Sequence, residues 1–141
     1  MPFLIGIENH KFDKNLGTLW RSAYQLGSCG IFTVGDEYAQ QSSDTYKTWK
    51  QIPYFHYNKI DDLSIPKDFI LIGIEQGGKC LKTFTHPKRA IYLLGNEKNG
   101  LSDTAKNRCN QIVSIPSIRQ NSYNVAMAGT IIMYDRMLKH D

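Results

Sequence analysis

Three stretches carry residues that could do chemistry: "GIEQGGK" (73–79), "LLGNEKNGL" (93–101) and "SIPSIRQNSYN" (114–124). Each is polar and follows an apolar run, and the first two are rich in glycine. Glycine lets a backbone approach a ligand closely or take positive φ. Three such loops side by side would make a pocket whose donors are mainly backbone N–H groups, which suits a ligand bearing adenine or ribose. It is not a phosphate cradle, because the chain has no G-x-x-x-x-G-K-[ST] and no G-x-G-x-x-G at a first strand–helix turn. Ordinary turns have the same composition, so the loops alone leave both readings open.

Arg21 is a fourth candidate. At about 100° per residue, Leu16, Leu19, Trp20, Ala23 and Leu26 fall on one side of a helix and Arg21 nearly opposite. Such an arginine is a solvated residue, a surface ion-pair partner, or a contact for a phosphate or hydroxyl. Asn15 fits the N-cap position of that helix. Other chemistries find little support. Cys29, Cys80 and Cys109 are far apart, and His10, His56, His86 and His140 do not cluster with them, so neither a disulfide framework nor a metal site is expected. There is no G-x-S-x-G and no local Ser-His-Asp or Cys-His signature.

The elements that must position these residues alternate. Apolar runs at 3–8, 29–35, 53–57, 68–75, 90–94 and 111–116 read as strands. Residues 15–27, 102–109 (with Ser102 as N-cap) and 122–140 read as helices, and 36–51 as a loop with a short helix. The pattern predicts an α/β fold with a mostly parallel sheet and helices on both faces. In such sheets ligands bind beyond the carboxyl ends of the strands, where the three loops fall. In the last helix Met127, Ile131, Tyr134 and Leu138 form one apolar stripe, extended by Val125, Ala128 and Ile132. Two arrangements fit it: a homodimer interface, or a helix wholly buried in one chain.

The chain has 141 residues, 41% hydrophobic and 21% charged, which suits one folded domain (1–141) without internal repeat or linker. Its apolar runs are too short to span a bilayer. The N-terminus has no signal-peptide pattern, so a cytoplasmic location with reduced thiols is expected. The net charge of +4 permits an anionic partner without requiring one. Only "HPKR" (86–89) is a local basic cluster.

Taken in order, three motifs resemble those of the SpoU/TrmH-type RNA 2′-O-methyltransferases of the SPOUT superfamily. They are "NLGTLWRSAYQLG" (Asn15, Gly17, Arg21, Gly27), "LLGNEKNGL" (Gly95, Glu97, Gly100, Leu101) and "IPSIRQNSYNVAMAGTIIMYDR" (Ile115, Pro116, Ser122, Asn124, Val125). The resemblance implies a C-terminal deep trefoil knot, which no spacing argument reaches, since chains do not knot by default. It further implies a homodimer, S-adenosylmethionine as cofactor, no metal, and methyl transfer to a ribose 2′-hydroxyl of RNA. By motif position, cofactor contacts fall at Ile74, Leu94, Gly95 and Ile115, with Ser122 and Asn124 near the methionine part. Arg21 falls at the reacting hydroxyl, with Asn15 and Glu97 orienting it or the ribose. A guanidinium stays protonated below pH ~12, so stabilisation of the developing alkoxide is favoured over a role as base.

Two positions depart from the family pattern: "SIRQN" replaces a glycine-bearing loop after Ile-Pro, and Ala126 stands where serine is common. Among targets, tRNA is favoured because the domain is small, with rRNA the alternative. Lys11, Lys14, Lys47, Lys50, Lys88, Arg89, Lys98 and Arg119 are candidate phosphate contacts. Two further readings are an RNA-binding dimer without catalysis and a small-molecule enzyme on an unrelated α/β fold.

Overall fold

A computed structural model describes residues 1–37 and 51–140. Most of the expected 36–51 loop and helix, including Tyr38, Tyr46, Trp49, Lys47 and Lys50, lies outside the described residues. The elements run β1 (Phe3–Glu8), α1 (Asp13–Gln25), β2 (Gly30–Val34), β3 (Tyr54–Tyr57), β4 (Ile70–Cys80), β5 (Ala90–Leu94), α2 (Asp103–Arg108), β6 (Gln111–Ser114) and α3 (Val125–His140). Six strands form one sheet in the order β3-β2-β1-β5-β4-β6, and every pairing is parallel.

The apolar runs are continuous because both sheet faces are covered. Along β5, Ala90, Tyr92 and Leu94 join the core beneath α1 and α3, while Ile91 and Leu93 join the opposite core, with Ala105 of α2. β1 divides the same way, with Phe3, Ile5 and Ile7 on one face and Leu4 on the other. Gly129 lets α3 approach α1 closely, since a Cβ there would lie 2.4 Å from the Leu19 side chain. The buried side of α3 carries Val125, Ala128, Ile132 and Met133, whereas Met127, Tyr134 and Leu138 of the expected stripe are exposed. No helix among the described residues is long and apolar enough to cross a membrane.

Three of the boundaries that differ from the sequence reading have a local reason. Helix α1 starts at Asp13, with Phe12 rather than Asn15 as N-cap. His10 Nε2 meets Asp13 Oδ1 at 2.8 Å, and a carboxylate in the first turn suits the helix dipole. Asn15 therefore sits inside the first turn with its side chain available elsewhere. Strand β4 runs to Cys80, past the expected end at Glu75. Ile74 and Lys79 both register with Val113, so residues 75–78 bulge out and the strand resumes. Gly78 permits this, because a Cβ there would lie 2.5 Å from the Ile112 carbonyl oxygen. Helix α3 begins at Val125, with Asn124 Oδ1 accepting from Ala126 N (3.0 Å) and Met127 N (3.2 Å), so Asn124 caps the helix.

The amino end of β5 is closed by a buried polar network. Arg136, 3% exposed, donates to the carbonyls of Pro87 and Lys88 (both 2.7 Å) and to Tyr92 Oη (3.0 Å). Its guanidinium lies 5.0 Å from the Phe3 ring centroid. His86 meets Tyr92 Oη through Nδ1 and Asp135 through Nε2, each at 2.7 Å. A neutral imidazole satisfies the chain Arg136 to Tyr92 to His86 to Asp135. Burial pushes the His86 pKa below its ordinary value despite Asp135, and pushes the Tyr92 hydroxyl up to about 12. His86, read as part of a basic cluster, is a core residue.

Candidate functional site

The carboxyl ends of β4, β5 and β6 open into a cleft of about 430 Å³, within the usual range of small-molecule sites, about 300–1,000 Å³. Ile74, Leu94, Gly95, Ile115 and Ser122 all line it, as do Glu97 and Lys98. Asn124, Asn15 and Arg21 are not among its lining residues.

The wall after β5 explains its own composition. The ideal Cβ position of Gly95 lies 2.2 Å from the Gly100 carbonyl carbon and 2.4 Å from Leu101 N, so only glycine fits where the loop folds back on itself. Asn96, left unconstrained by the motif, organises that loop. Its Oδ1 accepts from Lys98 N (3.0 Å) and Asn99 N (2.8 Å), and its carbonyl accepts from Gly100 N (3.0 Å). Gly100 closes the turn at φ 68°. An asparagine ahead of Asn-Gly is a turn signal that could have found this residue.

Three residues from three distant segments meet beside the cleft. Asn15 Nδ2 donates to Glu97 Oε1 at 2.5 Å. Asn124 Nδ2 donates to Asn15 Oδ1 (3.1 Å) and to Glu97 Oε1 (3.2 Å). Glu97 is exposed, and its Oε2 has no hydrogen-bond partner among the described residues. The cluster ties the first turn of α1, the loop after β5 and the cap of α3 into one unit. Arg21 is exposed and has no ion-pair or hydrogen-bond partner among the described residues. It is six residues beyond Asn15, about 9 Å further along the helix axis.

Other reactive groups are placed away from this chemistry. Burial, and secondarily the Glu8 carboxylate, push the Cys109 thiol up to about 11, which leaves it a poor nucleophile near neutrality. Among the described residues no group of three or more His, Cys, Asp or Glu lies together as a metal site. Of the candidate phosphate contacts, Lys98 lines the cleft. Lys88 and Arg89 directly precede β5, so they sit at the amino end of the sheet, away from the cleft.

The family model described as "SpoU rRNA Methylase family" matches residues 2–134. The chain belongs to the SpoU rRNA Methylase family. Among curated SpoU-related proteins, a 23S rRNA (uridine(2479)-2′-O)-methyltransferase of Streptomyces viridochromogenes is 29% identical over 136 residues, 86% of this chain and 47% of that protein. An uncharacterized tRNA/rRNA methyltransferase of Mycobacterium bovis is 23% identical over 92% of this chain and 43% of its own length. The chain thus spans about half the length of these curated relatives. Two solved structures share this fold. One concerns 2-OH methylation of C/U34 on tRNA (TM-score 0.85, 17% identity, 99% of this chain and 91% of that one). The other is the S. viridochromogenes SpoU methyltransferase AviRb in complex with AdoMet (TM-score 0.76, 24% identity, 97% of this chain and 57% of that one).

Proposed function

We propose that this chain is an S-adenosylmethionine-dependent RNA ribose 2′-O-methyltransferase that works as a homodimer. The observation that carries the reading is the meeting of Asn15, Glu97 and Asn124, one from each family motif, beside the cleft at the carboxyl ends of β4, β5 and β6.

The donor set fits the cofactor. Ile74, Leu94 and Ile115 are apolar residues of the cleft lining, and Gly95, whose Cβ position is taken by the returning backbone of Gly100 and Leu101, puts no side chain into it. These residues and Ser122 would hold S-adenosylmethionine, which supplies a methyl group on a sulfonium. The AdoMet complex of a relative with the same fold supports this choice.

The protein's own task is to place a ribose hydroxyl and manage its proton. Arg21 stabilises the charge that builds on the hydroxyl oxygen as it attacks, and an RNA phosphate or a neighbouring group takes the proton. The Asn15–Glu97–Asn124 cluster fixes the loop that bounds the site, and Glu97 Oε2 is the free acceptor that orients the ribose or the guanidinium. Arg21 does not line its own chain's cleft, so the arginine that acts there comes from the partner subunit. The exposed Met127, Tyr134 and Leu138 on α3 supply the apolar surface for that pairing. The C-terminal trefoil knot belongs to the same proposal. It is supported by the path from edge strand β6 back to α3, which packs on α1 and β5 near the sheet centre.

The favoured target is tRNA, supported by the likeness in fold to the structure concerned with tRNA methylation. The 23S rRNA enzyme, more similar in sequence, favours rRNA as a second reading. Mapping 2′-O-methyl sites in total RNA from cells with and without the gene decides between them. A site lost from tRNA supports the proposal, one lost from 23S rRNA moves the target, and no lost site removes the activity.

A further inference from the structure

The pentapeptide Leu-Ile-Gly-Ile-Glu occurs twice, at 4–8 and 71–75. A repeat this short escapes a search on the scale of domains. The two copies form β1 and β4, the strands on either side of β5, and they sit in the same register. Leu4 and Leu71 both face Ile91, Gly6 and Gly73 both face Leu93, and Ile7 and Ile74 both face Leu94. The two glutamates that end the copies therefore flank position 95, where the chain leaves β5 into the cleft wall.

Both carboxylates grip that loop where it returns, on consecutive amides. Glu75 Oε2 accepts from Leu101 N at 2.8 Å. Glu8 Oε1 accepts from Ser102 N at 2.7 Å, and Glu8 Oε2 accepts from the Ser102 hydroxyl at 2.6 Å. Neither glutamate has an ion-pair partner among the described residues. Their positions differ in one respect that matters. Glu8 is buried at 4% exposure and outside the cleft, whereas Glu75 lines it. The other Glu75 oxygen accepts from Gln76 N at 2.9 Å. One carboxylate thus joins the 75–78 bulge to the 95–101 loop, the two walls between which the ligand would lie.

We propose that Glu8 and Glu75 form a carboxylate clamp on the loop after β5, and that Glu75 is a positioning residue that sets the width of the cofactor cleft. The inference rests on the proposed identity of that cofactor. A glutamine at 75 keeps the shape but loses the charge and one acceptor, so one of the two walls is released. An alanine releases both.

The test is calorimetric titration of S-adenosylmethionine into wild type, Glu75→Gln and Glu75→Ala, with cofactor KM and kcat measured on total RNA from cells lacking the gene. The clamp predicts a Kd raised about threefold for the glutamine variant and about tenfold or more for alanine, the scale of a lost charge-assisted hydrogen bond. KM should rise in parallel, by more than kcat falls. Glu8→Gln should show the opposite balance, with its larger effect on melting temperature. If wild type binds cofactor and Glu75→Gln, a near-isosteric change that leaves the fold intact, binds within about 1.5-fold of it, the clamp is wrong. A kcat loss at unchanged Kd also overturns it. If wild type binds no S-adenosylmethionine, the cofactor reading fails first and the clamp with it.

Discussion

Replacing Gly95 by alanine tests the architecture of the cleft wall most sharply. The new Cβ would lie 2.2 Å from the Gly100 carbonyl carbon, 2.4 Å from Leu101 N and 2.6 Å from the Gly100 oxygen, all of them backbone. Ordinary contact begins near 3.4 Å, so the returning segment must retreat by roughly 1 Å, and no side chain can rotate away instead. That segment is pinned by Leu101 N on Glu75 at 2.8 Å and by Gly100 N on the Asn96 carbonyl at 3.0 Å. Overpacking costs about 1–3 kcal/mol, and losing a hydrogen bond to a charged acceptor adds about 1.5–3 kcal/mol. Partial relaxation brings the sum to about 3 kcal/mol. For a domain of this size that lowers the melting temperature by about 10 °C. Thermal unfolding followed by circular dichroism reads it directly. Gly17→Ala is the control: its Cβ meets nothing within 4 Å, so removing a glycine inside α1 should stabilise by up to about 1 kcal/mol. A Gly95→Ala protein melting within about 1 °C of wild type would mean that the loop does not require glycine at this position.

Three further outcomes are expected. Arg136→Met strands the carbonyls of Pro87 and Lys88 and leaves the Tyr92 hydroxyl with His86 as its one partner, and should cost about 2–4 kcal/mol in urea unfolding. His86 has a folded pKa below its unfolded value, so below about pH 6.5 the unfolded state binds the extra proton and stability falls with pH. Melting curves from pH 7 to pH 5 should show this fall, and His86→Gln should show a shallower one. Tyr134→Asp places a charge in the exposed α3 stripe and should weaken dimerisation by about 100-fold or more in sedimentation; a wild-type protein that is monomeric at micromolar concentration contradicts the dimer.

The sheet and its helices were legible because a strand buried on both faces leaves a continuous apolar run, as in β2 and β5, and a helix with one face on the core leaves a period of 3.6, as in α1. "AIYLL" predicted β5 to the residue, and Ser102 predicted the α2 cap, which accepts from Ala105 N at 3.1 Å. The continuation of β4 was hidden because Gly77 and Gly78 look like the end of a strand, whereas here they let it bulge and stay close to β6. The cleft walls could be named from loop composition. The Asn15–Glu97–Asn124 cluster could not, since its members are up to 109 residues apart and only the fold brings them into contact. Glu75 was missed for another reason: its partners, Leu101 N and Gln76 N, are backbone amides, which leave no trace in the identity of the residues that supply them.

Methyl transfer to ribose with Arg21 at the reacting oxygen can be observed directly. It is tested by incubating purified protein with methyl-labelled S-adenosylmethionine and total RNA from cells lacking the gene, then digesting to nucleosides. Label is expected in a 2′-O-methyl nucleoside, and is expected to be lost in an Arg21→Ala variant that still binds cofactor with wild-type affinity. Label on a base, no label at all, or undiminished transfer by Arg21→Ala would contradict it.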